Sequence, residues 1–187
     1  MSTIKSYLSL VKFSHTIFAM PFAILGFFMG IFYALKNTGY SGTDIIIKYI
    51  KSNPLMFLYI VGCMIFARSA AMAFNRYLDR SFDAKNPRTA IREIPSGVIA
   101  ASSALRFVIL NAIIFIAATY FINPICFYLS PVALFVILFY SYTKRFTALC
   151  HLVLGVGLSL SPIGAYLAVT GVFSLLPLLF SFSVLTW

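Results

Sequence analysis

Acidic residues are scarce in this chain. Its 187 residues include four Asp and Glu against 14 Lys and Arg. Charge of either sign is thin, at 10% of residues against 61% hydrophobic, and the mean hydropathy is +0.98. That balance excludes an ordinary soluble domain and points to an integral membrane protein. Cysteine and histidine are few, three and two respectively. Cys63, Cys126 and Cys150 stand far apart, each in or beside an apolar run, with no metal-ligand spacing, so they read as small packing residues. His15 and His151 read as packing or interfacial side chains rather than catalytic ones. The first twelve residues are mixed and polar, and no small-residue cleavage site follows an isolated apolar core, so no cleaved signal peptide is expected. The formal charge of +10 could suggest a nucleic-acid partner, but in so apolar a chain topology and anionic ligands explain it better.

What fills the chain instead is a series of apolar runs. A span needs about 20 apolar residues. Candidates cover residues 13–35, 55–74, 98–122, 125–142 and 148–170, and a sixth begins near Phe173. Pro54 stands where a helix start tolerates proline, Asn123-Pro124 is a turn signal, and Gly171 turns the chain. Backbone polar groups in lipid must be satisfied internally, and a barrel would need short alternating strands, so these long continuous runs are helices. The expected fold is all-α: a multi-span transmembrane helical bundle of about five full spans and a partial sixth. Residues 173–187 would give only about 22 Å of helix against a hydrocarbon core of about 30 Å. A terminal carboxylate inside lipid is costly, so the expectation is a truncated chain, residues 1–187 being the N-terminal part of a single transmembrane domain.

Orientation follows from the basic residues. One side collects Lys5, Lys12, Arg68, Arg76, Arg80, Lys85, Arg88, Arg92, Arg106, Lys144 and Arg145; the other has Lys36, Lys48 and Lys51. The positive-inside rule places the N-terminus and the 75–97 segment in the cytoplasm.

Two of the four acids lie in that segment, in Asn75-Arg76-Tyr77-Leu78-Asp79-Arg80-Ser81-Phe82-Asp83. On a helix, steps of four advance by only about 40° each, so Asn75, Asp79 and Asp83 share one face. An amide and two carboxylates are hard oxygen ligands for Mg²⁺, and the cations around them suit a polyanion such as a diphosphate. A solvated helix end is the bland alternative. Arg68, seven residues before Asn75, falls on nearly the same stripe within an apolar span, where an arginine snorkels or lines a cavity. Lys144 and Arg145 end the fourth span, either as topology anchors or as partners of the same anion, with Tyr140 and Tyr142 before them as belt residues. Some of the 20 Phe and 11 Tyr could line a cavity and shield a carbocation.

These residues carry a resemblance. Asn75-x-x-x-Asp79-x-x-x-Asp83, with Arg88-Thr89-Ala90-x-Arg92-x-x-Pro95-Ser96-Gly97, resembles the first aspartate-rich motif of the UbiA superfamily of intramembrane prenyltransferases. Tyr140-Ser141-Tyr142-Thr143-Lys144-Arg145-Phe146-Thr147 is similar to its later Tyr/Lys-Arg segment, and His15 to Ala23 resembles the opening of 4-hydroxybenzoate polyprenyltransferase-like members. Some members carry Asp beside the Asn; here Arg76 stands there. The resemblance implies a complete bundle of about nine spans in a membrane, the bacterial inner membrane, with a second aspartate-rich motif after the sixth span. This sequence has no such motif, so activity of the 187 residues alone is not expected. It implies transfer of a polyprenyl group from polyprenyl diphosphate to an aromatic acid such as 4-hydroxybenzoate, in ubiquinone or menaquinone biosynthesis. Asn75, Asp79 and Asp83 would hold Mg²⁺, with Asp79 and Asp83 catalytic, and Arg68, Lys144 and Arg145 would neutralise the diphosphate. A transporter relaying ions through Asp79 and Asp83 is the rival class, disfavoured because the acids sit at a helix exit. An inactive fragment of such an enzyme is the other alternative.

Overall fold

The computed structural model describes residues 3–36, 42–147 and 149–186, with the backbone alone described at residues 3 and 13–19. Gly39, Ala148 and Trp187, and the His15 side chain, therefore lie outside what is described. The described residues form eight helices: α1 Thr3–Leu10, α2 Phe13–Ala34, α3 Thr43–Ser52, α4 Met56–Asp83, α5 Ala101–Tyr120, α6 Pro124–Thr143, α7 Cys150–Thr170 and α8 Leu175–Thr186. Four of them, α4 to α7, are long and apolar enough to cross a membrane. α2 has 22 residues, but only its Met20–Ala34 portion is fully described, and α8 has 12. Large apolar side chains such as Ile109, Leu110 and Ile113 on α5 and Phe135 and Phe139 on α6 face outward, as a lipid-facing surface requires.

Local chemistry sets the element ends. Lys12 takes a left-handed conformation (φ 43°) and breaks α1 from α2. Pro54 lies in the turn just ahead of α4, with Leu55 as the N-cap. Asn123 caps α6: its side chain accepts from the Cys126 N–H at 2.8 Å, with Pro124 at the first position. The same side chain donates to the Leu167 carbonyl at 2.8 Å, tying the start of α6 to the end of α7. Gly171 supplies the left-handed cap of α7 (φ 66°). Inside α6, Pro131 cannot donate to the Phe127 carbonyl; the Ser130 hydroxyl does so instead, at 2.8 Å.

Two features are absent from the sequence expectations. α3 lies in the polar stretch between the first two apolar runs, and it buries Ile45 and Tyr49, one helical turn apart, against α2. And α2 crosses α7 through Gly26-x-x-x-Gly30, small residues spaced one turn apart. A Cβ on Gly26 would fall 2.8 Å from Pro162 Cα and closer still to the Pro162 carbonyl oxygen; one on Gly30 would fall 2.8 Å from Val169 Cβ. Only glycine lets these backbones approach.

α4 is the element that builds the site. The second apolar run ends at Phe74, and the helix continues through Asn75 and Asp79 to Asp83, as their shared face requires, for 28 residues or about 42 Å. Ala70 and Ala73 on one face are fully buried beside Ala104 and Val108 of α5, so those two helices pack closely. The following segment, residues 84–100, is pinned under α4 by Ile94 and Ile99, which share a cluster with Leu10 and Val11. The Ser9 hydroxyl reaches the Glu93 carboxylate there. The N-terminal helix, the 84–100 segment and the α6–α7 connection thus gather at one end of the bundle. α3, the α5–α6 turn and the start of α4 gather at the other, in the cluster holding Ile45, Tyr49, Ile60, Ile122 and Cys126.

Candidate functional site

The opposite face of α4 lines a cavity of about 400 Å³, within the size range of ligand pockets. Ile60, Met64, Ala67, Arg68, Ala71 and Asn75 form its α4 wall, a stripe of three- and four-residue steps. α5 adds Phe115 and Thr119, α6 adds Val132, Val136 and Tyr140, and α7 adds Leu154, Gly157, Leu158 and Ser161. From Ile60 to Asn75 the stripe rises about 22 Å. The lining is apolar along most of this length. The Asn75 end lies toward the charged end of the bundle.

At that end the structure brings together residues far apart in sequence. Lys144, the C-cap of α6, donates from Nζ to both Asn75 Oδ1 and Asp79 Oδ2. Arg145 Nη2 donates to the Leu78 carbonyl at 2.6 Å, and its guanidinium lies 5.5 Å from the Phe82 ring centroid. Tyr140 is one turn before Lys144 and lines the cavity beside Asn75. That four-residue spacing was a readable signal that Tyr140 shares the side of α6 that Lys144 presents.

Asp83 does not join Asn75 and Asp79. Its carboxylate is buried and accepts from Arg92 Nη1 at 2.8 Å on both oxygens. The Thr89 hydroxyl donates to the Asp83 carbonyl at 3.0 Å, closing the turn that carries Arg92 back. Two four-residue steps put the oxygens on one face of the helix, but Asp83 is claimed by a cation from the next segment.

The electrostatics of this corner are set by the helix end. Asp79 and Asp83 sit in the last two turns of α4, where the macrodipole is negative and carboxylates are disfavoured. Lys144 and Arg92 offset that penalty, one for each acid. Two hard oxygens converging on one cationic atom are also the start of a donor set for a hard dication. Asn75 Oδ1 and Asp79 Oδ2 meet that description; Asp83 would have to exchange Arg92 for the metal to complete it. Among the described residues no group of three or more His, Cys, Asp or Glu forms such a site alone.

Arg68 is held apart from this corner. It lies seven residues before Asn75, about 10 Å along the helix, and its Nε is buried with no hydrogen-bond partner among the described residues. Arg76 is buried on another face of α4, with Nη1 likewise unpartnered. Cys63 and Cys126 are free thiols in the cavity wall, and His151 is exposed.

Fold and site together define a multi-pass membrane protein whose apolar cavity ends in a cation-seeking pair of oxygens. The chain belongs to the UbiA prenyltransferase family, which matches residues 38–187. Among its relatives is the 4-hydroxybenzoate octaprenyltransferase of Tolumonas auensis, 33% identical over 138 residues, 74% of this chain and 48% of that one. The protein of that name from Burkholderia ambifaria is 38% identical over 103 residues, 55% of this chain and 35% of that one. The apo structure of a UbiA homolog from Aeropyrum pernix K1 matches with a TM-score of 0.69 at 28% identity, over 92% of this chain and 57% of that chain. The chain spans about half the length, or less, of the curated relatives it matches.

Proposed function

We propose that the protein transfers a polyprenyl group from polyprenyl diphosphate to an aromatic acid such as 4-hydroxybenzoate, within a membrane, as a step in quinone biosynthesis. The observation that carries this reading is the convergence of Asn75, Asp79 and Lys144 at the end of a long apolar cavity. One amphiphile has that pattern of demands: an apolar chain many carbons long with a polyanion at its end. Relatives named 4-hydroxybenzoate octaprenyltransferase support the acceptor class.

Asn75 and Asp79, joined by Asp83 once it releases Arg92, would hold Mg²⁺ at the diphosphate. Bound there, the metal supplies positive charge to the leaving oxygens. This chain's own residues do the rest. Lys144 turns from Asp79 to the diphosphate and Arg145 lies within one residue of it; both place fixed positive charge where negative charge develops as the allylic C–O bond breaks. The apolar walls formed by Met64, Phe115, Val136 and Leu158 hold the prenyl chain and exclude water from the cation. Tyr140 stands beside Asn75, where its ring can face the cationic carbon. The ring of the acceptor attacks that carbon and then loses a proton.

The Asn75 end faces the cytoplasm of a bacterial inner membrane in this reading. The basic residues support it, because the segments that carry most of them gather at one end of the bundle. Residues 1–187 form part of one transmembrane domain. The test is transfer from a radiolabelled polyprenyl diphosphate to 4-hydroxybenzoate by the protein purified in lipid with Mg²⁺. In a chain extended to the length of its curated relatives, prenylated acid is expected, and none once Asp79→Asn is introduced. Equal transfer by Asp79→Asn would overturn the reading.

A further inference from the structure

Arg68 is the one charged residue among the described residues that line the cavity. Its Nε is buried and has no hydrogen-bond partner among them. A guanidinium in an apolar cavity within a membrane span is costly unless an anion joins it. The anion cannot come from the neighbouring acids. Asp79 is engaged by Lys144 and Asp83 by Arg92. Among the described residues no acid is left for it, and a ligand can bring one.

The position of Arg68 says which ligand. It stands about 10 Å from Asn75 along α4. Helical side chains lean toward the helix N-terminus, which here means away from Asn75 and deeper into the bundle. To share a diphosphate with Lys144, Arg68 would have to reverse that lean. Charge also discriminates. A diphosphate carries roughly two to three negative charges near neutral pH, and one half-buried arginine offsets one. A monocarboxylate matches it, and the guanidinium fork takes a carboxylate through two parallel hydrogen bonds. The surroundings suit a flat ring: Ala67, Phe115 and Ile137 lie in one cluster beside it.

We propose that Arg68 binds the carboxylate of the aromatic acceptor, and not the diphosphate with which the sequence groups it. This rests on the prenyl-transfer reading and assigns one end of its second substrate. The carboxylate sits deep, at Arg68, and the opposite edge of the ring points back toward Asn75 and Tyr140, where the prenyl carbon is released. The acid is then read by charge at one end and presented for alkylation at the other.

The test is binding, in lipid nanodiscs, of three probes: 4-hydroxybenzoate, its neutral amide 4-hydroxybenzamide, and inorganic pyrophosphate with Mg²⁺. The unaltered protein should prefer the acid to the amide by roughly tenfold to a hundredfold, the worth of a charge-assisted hydrogen-bonded pair. Arg68→Met should bind acid and amide alike and leave pyrophosphate binding unchanged; Arg68→Lys should keep part of the preference. If Arg68→Met loses pyrophosphate and keeps the acid preference, Arg68 serves the diphosphate and the proposal is wrong. An unaltered protein that binds pyrophosphate but shows no acid preference also overturns it, without any variant having to fold. Failure of the unaltered protein to bind pyrophosphate with Mg²⁺ would instead count against the prenyl-transfer reading, and the assignment of Arg68 would fall with it.

Discussion

Removing Lys144 should strengthen metal binding. Its ammonium occupies the point on which Asn75 Oδ1 and Asp79 Oδ2 converge, so a dication must displace it. At about 4 Å a unit pair interacts by about 1 kcal/mol in water and about 4 kcal/mol at an effective dielectric of 20. The side chains of Lys144 and Asp79 are 23% and 19% exposed, which places the pair between those limits, and solvent screening pulls it toward the lower one. Displacement therefore costs the metal about 1–2 kcal/mol, and Lys144→Met should tighten Mn²⁺ binding roughly 5- to 30-fold. Mn²⁺ titration followed by electron paramagnetic resonance, on protein in lipid nanodiscs, reads this directly. The same variant should bind pyrophosphate more weakly, because the cation that turns to meet it is gone. Lys144→Arg should leave Mn²⁺ affinity near that of the unaltered protein. Mn²⁺ affinity that is unchanged or lower in Lys144→Met would refute the competition.

Two further outcomes concern the scaffold. Gly26→Ala should destabilise the fold by about 1–3 kcal/mol through overpacking against Pro162, whereas Gly164→Ala, where an added Cβ meets nothing within 4 Å, should be neutral or slightly stabilising; detergent-titrated unfolding compares them. Asn123→Ala should cost about 1–2 kcal/mol, since it removes the α6 cap and the bond to Leu167, and Asn123→Asp, which keeps the cap oxygen but loses the donor, should fall between; thermal unfolding in the same detergent measures both.

The sequence made some of this legible, and the reason is periodicity. Apolar runs mark α4 to α7 because lipid demands length and composition together. Asn75 and Asp79 were readable as a pair because a four-residue step on a helix is a statement about geometry. Asp83 carries the same spacing, yet its carboxylate goes to Arg92, nine residues on in an irregular segment whose path no helical period encodes. Lys144 could be assigned to the same side of the membrane as Asp79, but which of the many cations would reach it depends on how α6 leans on α4. α3 escaped notice because its Asp44, Lys48 and Lys51 hide a buried pair, Ile45 and Tyr49. Gly26-x-x-x-Gly30 was visible as text; its meaning required knowing that α7 lies opposite.

α4 does more than cross the membrane. It is one unbroken helix from Met56 to Asp83, so the spacing between Arg68 and Asn75 cannot stretch. It behaves as a gauge block. A molecule seated between the two positions is measured against a fixed length, set by a count of seven residues and by nothing that folds around it. Deleting one residue between them would shorten the gauge by only about 1.5 Å but turn its two ends about 100° out of line. A chain built this way would tolerate drift in the walls of its cavity far better than a single insertion or deletion along this helix.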